Sequence, residues 1–157
     1  EIGIQITLKE AYLLPKLVGA FRWQAVKSHP VAIFRFSPGF CLKTLEALLA
    51  LPLRALILET YGTGNAPIET PGLLSALEQA AHRGLLIMNL TQCLEGHVDM
   101  EQYATGQALR RVGVISADDM TPEALYCKLL VACSQTNDIE ALRVFMQTPL
   151  CGEKRNA

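Results

Sequence analysis

Short apolar runs alternate with helical patterns from residue 31 onward. The runs VAIFRF at 31–36, ALILE at 55–59 and LLIMNL at 85–90 have almost no polar positions. Such runs are typical of parallel strands covered on both sides, because a strand with one solvated face would alternate apolar and polar residues. Between them, leucine and alanine recur every three or four residues, which predicts two amphipathic helices at about 42–49 and 73–81.

The second half of the chain continues this alternation. A weaker helix is predicted at 103–112, followed by a very short strand at 114–115. Two helices follow: Thr121 supplies a hydroxyl N-cap ahead of a proline, and Asn137 with Glu140 resembles a capping box. With right-handed crossovers, this order of elements predicts an α/β domain. Its expected architecture is a flavodoxin-like (Rossmann-like) parallel sheet of about four strands with helices on both faces.

The first thirty residues follow a different pattern. Residues 1–7 (EIGIQIT) alternate in the manner of a half-buried strand, and no nearby segment resembles a hairpin partner. An irregular stretch with proline and glycine follows, and Trp23 within it argues for docking against another surface. We therefore expect 1–30 to be the end of another domain plus a linker. Residues 31–150 are expected to form the α/β domain, and 151–157 a tail.

Composition and charge exclude several classes of function. Half of the 157 residues are hydrophobic and 18% are charged, as in a soluble globular domain. A net charge of −1 offers no basic surface for nucleic acid and no polybasic membrane anchor. No apolar run approaches the length of a membrane-spanning helix. The five cysteines lack a CxxC pair, which favours reduced thiols in a cytoplasmic protein, and the three scattered histidines argue against a metal site.

Loops after the predicted strands are the expected place for a ligand. In open parallel sheets ligands bind beyond the carboxyl ends of the strands. This rule selects residues 37–40, 59–67, 91–98 and 116–120. The second stretch, ETYGTGNAP, is the most unusual, because it gathers two glycines, an asparagine, a tyrosine and a carboxylate directly after a buried strand. The alternative is a turn that only reverses the chain, and the stretch matches neither phosphate-binding glycine motif.

Two further stretches offer reactive side chains, each with a plainer explanation. Cys93 could act as a nucleophile if His97 lay close enough to activate it; a thiol lining a pocket or an inert buried cysteine are the alternatives. Asp118 and Asp119 could form an acid pair, or they could cap the helix that begins at Thr121. The residues alone predict a small polar ligand at the strand ends without identifying it.

Four motifs in this order resemble type I L-asparaginases. They are LETYGTGNAP (58–67), RGLLIMNLTQC (83–93), VDMEQYATGQAL (98–109) and GVISADDMTPEALYCKLL (113–130). By this resemblance the chain is similar to the C-terminal half of such an enzyme, whose N-terminal half carries the nucleophilic threonine. The resemblance implies hydrolysis of L-asparagine to L-aspartate and ammonia without metal or organic cofactor. It places no catalytic residue in this chain.

The resemblance also implies partners and contacts. In this cytoplasmic family the C-terminal domain joins its own N-terminal domain, and subunits assemble as a homodimer or a dimer of dimers. The C-terminal domain of one subunit helps to close the active site of its neighbour. Asn65 matches the residue that reaches across this interface, and Tyr61 and His97 are the other expected contacts of L-asparagine. His97 departs from the carboxylate that secreted relatives carry at this position.

An effector site is implied as well. Some bacterial type I enzymes bind asparagine at a second site, and Thr91 and Cys93 match residues that line it. Glu59 stands where those enzymes have an arginine for the ligand's carboxylate, and an anion there would repel that group. The alternative function is a stand-alone, non-enzymatic domain that binds or senses a small amino acid. A flavodoxin-like nucleotide-binding domain is disfavoured by the missing phosphate motif.

Overall fold

A computed structural model describes residues 23–154, in which four strands alternate with helices. The strands are β1 (Val31–Arg35), β2 (Ala55–Thr60), β3 (Leu86–Thr91) and β4 (Ile115–Ser116). The helices are α1 (Leu42–Leu49), α2 (Leu73–His82), α3 (Ala104–Arg111), α4 (Pro122–Gln135) and α5 (Ile139–Gln147). All strand pairs are parallel, in the order β1-β2-β3-β4. The predicted α/β class and parallel sheet are confirmed, whereas the strand predicted at 1–7 lies outside the described residues.

The two faces of the sheet bury separate layers of helices. Consecutive strands are neighbours, so right-handed crossovers place the three connecting helices on one face. Leu45, Leu77 and Leu109 bring α1, α2 and α3 into the core on that face. Leu129 and Leu142 bring α4 and α5 into the core on the other face. All but one of the residues in β2 and β3 are buried, which explains the continuous apolar runs in their sequences.

The first strand corrects one expectation. Its apolar run predicted coverage on both sides, but β1 lies at an edge of the sheet and pairs only with β2 in the described part of the chain. Ile33, in the middle of β1, is 46% exposed. An apolar run therefore identifies a strand of a parallel sheet without showing whether the strand is central or at the edge.

Both predicted caps of the last two helices can be checked. The hydroxyl of Thr121 accepts a hydrogen bond from the N–H of Ala124 at 3.2 Å, so the predicted start of α4 is confirmed. The predicted cap at Asn137 is wrong by one residue. Asp138 is the N-cap of α5 and accepts from the N–H of Ala141 at 2.7 Å. A carboxylate there also lies at the positive end of the helix dipole, which favours it over a neutral amide.

The end of the described chain is fastened to α4. The carboxylate of Glu153 pairs with Nζ of Lys128 at 2.5 Å, and the two side chains are only 9% and 5% exposed. The same carboxylate accepts hydrogen bonds from the N–H groups of Leu150 and Cys151. Residues 151–154 of the expected tail are thus tied to the domain, and the rest of that tail lies outside the described residues.

Candidate functional site

Residues 61–65, here named the 61–65 loop, form a tight turn after β2. Tyr61 and Asn65 exchange two backbone hydrogen bonds, each 2.8 Å long. Both glycines of the loop have positive φ angles, a conformation that other residues rarely adopt. A Cβ on Gly64 would also lie 2.6 Å from Cγ1 of Val98. The backbone conformation therefore favours glycine at both positions, and close packing requires it at position 64 as well.

Polar side chains of β2 and β3 fix this loop through hydrogen bonds. Nδ2 of Asn89 donates to the carbonyl of Gly64 at 2.9 Å, while Oδ1 of Asn89 accepts from the hydroxyl of Thr60 at 2.6 Å. The hydroxyl of Thr91 donates to the carbonyl of Gly62. Asn89 and Thr60 are completely buried, so these hydrogen bonds do not compete with solvent. The sheet therefore holds the loop in one conformation.

The side chain of Asn65 is held by α3. The hydroxyl of Thr105 donates a hydrogen bond to Oδ1 of Asn65. Nδ2 of Asn65 has no hydrogen-bond partner within residues 23–154, and the residue is only partly buried. The loop therefore presents a fixed amide at the carboxyl edge of the sheet, with its N–H donors available to a ligand or to another chain.

The other two expected substrate contacts are placed differently. The ring of Tyr61 packs against the core on the face of α1 to α3, so it anchors the loop. His97 precedes Val98, which touches the loop, but its exposed side chain borders a cavity of about 790 Å³ beside β4. Arg143 and Lys154 line the same cavity. The structure thus joins Tyr61 and Asn65 through the loop backbone and places His97 beside a charged cavity.

The three expected effector residues lie at the same end of the sheet without forming one cluster. Glu59 pairs with Arg35 across the neighbouring strands, with 2.8 Å between Oε2 and Nε. Because successive residues of a strand face opposite sides, Glu59 lies on the face of α4 and α5, and Thr91 lies on the face of α1 to α3. Cys93 follows β3 and its thiol is exposed. The cation beside Glu59 is Arg35, and its ion pair with Glu59 means that it already has a carboxylate partner.

The described residues around this edge hold no nucleophile paired with a base. The exposed thiol of Cys93 has no hydrogen bond to His97 or to any other described side chain. Asp118 forms an ion pair with Lys154 at 3.3 Å instead of capping α4. Residues 23–154 contain no group of three His, Cys, Asp or Glu side chains suited to a metal ion. None of the described helices has the length and apolar character needed to cross a membrane.

Three side chains that shape this edge were missed by the sequence interpretation. Asn89 had a signal, since it is the one polar residue in the apolar run of β3. Arg35 had a weaker one, because it ends β1 just as Glu59 approaches the end of β2, and the two are register partners. Thr105 had no local signal, because it is separated from Asn65 by 40 positions.

Comparison with known proteins shows which folds and sequences share this arrangement. A family model described as the Glutaminase/Asparaginase C-terminal domain matches residues 30–146. L-asparaginase 1 of Escherichia coli (strain K12) is 39% identical over 153 residues, which cover 98% of this chain and 45% of that protein. The structure of L-asparaginase I from Vibrio cholerae O1 biovar eltor matches with a TM-score of 0.82 and 42% identity, covering 88% of this chain and 41% of that one.

A different enzyme shares the same region. One component of the glutamyl-tRNA(Gln) amidotransferase of Methanopyrus kandleri is 34% identical over 139 residues, which cover 88% of this chain and 28% of that protein. The chain therefore spans less than half the length of each of these relatives.

Proposed function

Because this chain belongs to the Glutaminase/Asparaginase C-terminal domain family, we propose that it is the C-terminal, interface-forming half of an L-asparaginase. The complete enzyme hydrolyses L-asparagine to L-aspartate and ammonia, and its N-terminal half supplies the nucleophile. The observation that carries the proposal is the 61–65 loop, which fixes the amide of Asn65 at an edge where residues 23–154 provide no activated nucleophile. A rigid donor without a nucleophile suits an active site that another domain completes.

The proposal extends to the neighbouring subunit. The order β1-β2-β3-β4 of the described strands has no reversal, and so their carboxyl edge lacks the crevice that a reversal would create. The 61–65 loop therefore needs an opposing surface to enclose a ligand. Leu94 and Tyr103 are exposed on loops at the same edge, which supports burial against another subunit in a homodimer or a dimer of dimers. All five thiols are free, which supports a cytoplasmic location.

Replacing Asn65 by alanine in the full-length enzyme tests the assigned contact. We expect kcat/KM for asparagine to fall about five- to hundred-fold, since losing one positioned polar partner costs roughly 1–3 kcal/mol. The fold should stay intact with only a small fall in melting temperature, because the substitution removes one part-buried hydrogen bond, from Thr105, and keeps the backbone hydrogen bonds of the turn. Asn137→Ala, at an exposed asparagine between α4 and α5, is the matched control. Unchanged kinetics in Asn65→Ala would reduce the loop to a structural turn.

We also propose that the effector response of arginine-bearing relatives is absent here. Arg35 already binds the carboxylate of Glu59, so an incoming asparagine would have to displace a group of the protein itself. A ligand shifts a conformational equilibrium only through its differential affinity for the two states. With Glu59 paired to Arg35, the site has little affinity for asparagine in either state.

The dependence of rate on asparagine concentration should therefore be hyperbolic in the full-length enzyme. The measurement spans concentrations far below and above KM, for the wild type and for Glu59→Arg. Cooperativity that appears only in Glu59→Arg would support the proposal, because one charge reversal would have created the effector site. A wild-type Hill coefficient clearly above one would contradict it.

A further inference from the structure

The hydroxyl of Thr105 forms its hydrogen bond with the 61–65 loop and not with its own helix. Thr105 is the second residue of α3, and the N-cap residue Tyr103 provides no side-chain cap. Threonine in the first turn of a helix often satisfies free backbone N–H groups of that turn. Here the hydroxyl donates to Oδ1 of Asn65 instead. No other described side chain forms a hydrogen bond with the Asn65 amide within residues 23–154.

The position of Thr105 relative to the loop is fixed by close packing. A Cβ on Gly106 would lie 2.7 Å from Cα of Met100, so the start of α3 lies directly against the segment before it. That segment is hydrogen-bonded to the loop, since the N–H of Asp99 donates to the carbonyl of Thr63 at 3.0 Å. The helix start, the preceding segment and the loop therefore form one closed set of contacts, and Thr105 completes it.

This arrangement selects one orientation of the Asn65 amide. An amide can rotate by half a turn, which exchanges its acceptor oxygen and its donor nitrogen. The N-terminus of α3 carries partial positive charge, which favours the oxygen on the side of the helix. The Thr105 hydroxyl can donate or accept, so it fits either orientation; with the oxygen facing the helix, it donates to Oδ1. The side of Asn65 left for a ligand is then Nδ2 with its two N–H donors.

We propose that Thr105 is a positioning residue for Asn65, and that the contact made by Asn65 is with an oxygen acceptor of the substrate. Such an acceptor is a carboxylate or carbonyl oxygen, whereas the ammonium group of an amino acid would meet two donors and be repelled. The inference rests on the proposed function and deepens it by assigning the polarity of the contact. Thr105 acts only through Asn65 and touches no substrate.

Two substitutions in the full-length enzyme separate positioning from a general structural role. Thr105→Val removes the hydroxyl and keeps the branched shape, and we expect kcat/KM to fall about three- to thirty-fold. Thr105→Ser keeps the hydroxyl and should stay within about two-fold of the wild type. The double variant Asn65→Ala/Thr105→Val should be no slower than Asn65→Ala alone, because the hydroxyl then has nothing to position.

Failure of the role assigned to Thr105 can be told apart from failure of the proposed asparaginase function. Wild-type kinetics in Thr105→Val, or equal losses in Thr105→Val and Thr105→Ser, would overturn the inference while a slow Asn65→Ala upholds the proposed function. Additive losses in the double variant would overturn it as well. A full-length protein without asparaginase activity would contradict the proposed function, and a crystal structure of Thr105→Val would then decide the inference. An Asn65 side chain in an unchanged rotamer would overturn it, and a rotated or disordered one would support it.

Discussion

The 157-residue chain assayed alone is expected to release no ammonia from L-asparagine. Three threonine hydroxyls around the 61–65 loop donate to amide or carbonyl oxygens: Thr60 to Asn89, Thr91 to the loop backbone, and Thr105 to Asn65. None of these acceptors is a base that could take a proton from an attacking hydroxyl. The hydroxyl of Thr63, within the loop, is buried and has no hydrogen-bond partner among the described residues, so no base contacts it either. Without an activated nucleophile, the fixed amide can orient a substrate but cannot open its amide bond.

Ammonia release by the purified chain measures this, with the full-length enzyme as positive control. The exposed thiol of Cys93 is the group that could contradict the expectation. Turnover by the chain alone that Cys93→Ala abolishes would identify this thiol as a nucleophile. Cys127→Ala, at an exposed thiol on α4, is the matched control.

Replacing Glu153 by glutamine should destabilise the domain by about 3–5 kcal/mol at neutral pH, because it leaves a buried charge without a counter-charge. That charge is the ammonium of Lys128, whose side chain is 5% exposed and which would keep only neutral acceptors, the carbonyl of Thr148 at 2.6 Å and the amide oxygen of the new glutamine. Urea unfolding of both proteins measures the difference. Glu140→Gln is the control, since this 77% exposed carboxylate pairs with Arg143 at 3.5 Å and should contribute less than about 1 kcal/mol.

The same pair predicts a specific pH dependence. Burial acts to raise the pKa of Glu153, but hydrogen bonds from Lys128 and from the N–H groups of Cys151 and Leu150 outweigh it and lower the pKa from 4.5 to about 2. A carboxyl group whose pKa is lowered by folding adds stability above its unfolded pKa and loses it as the pH falls toward the folded value. The advantage of the wild type over Glu153→Gln should therefore shrink between pH 4.5 and pH 2. A difference that stays constant through this range would contradict the assigned ion pair.

Local signals predicted those parts of the fold that neighbouring residues determine. Thr121 caps α4 as predicted, and Gly84 adopts the left-handed conformation typical of a glycine just past a helix, with a φ of 88° after α2. The prediction that β1 is covered on both sides was wrong because edge position depends on strand order, which no single segment of the chain determines. The N-cap of α5 was wrong by one residue because Asn137 and Asp138 are adjacent and both are good capping residues.

In the site too, features set by neighbouring residues were predictable, whereas contacts between residues distant in sequence were not. The 61–65 loop was predictable because its glycines, Tyr61 and Asn65 are consecutive and follow a buried strand. The groups that fix the loop are distant in sequence: Asn89 lies 25 residues beyond Gly64, and Thr105 lies 40 residues beyond Asn65. Hydrogen bonds over such separations follow from how the sheet and α3 pack. The role of Asn65 in a neighbouring subunit came from the resemblance to asparaginases and remains a proposal.

Mixing two impaired variants of the full-length enzyme tests that proposal most directly. One variant carries Asn65→Ala, and the other lacks the nucleophilic threonine of the N-terminal half. In a mixed dimer, the subunit without the nucleophile offers an intact Asn65 to the intact nucleophile of its partner, so one complete active site is rebuilt. Co-expression with two different affinity tags isolates this dimer. We expect its kcat/KM to rise clearly above the mean of the two parent dimers, whereas a value equal to that mean would show that Asn65 does not act in the active site of the neighbouring subunit.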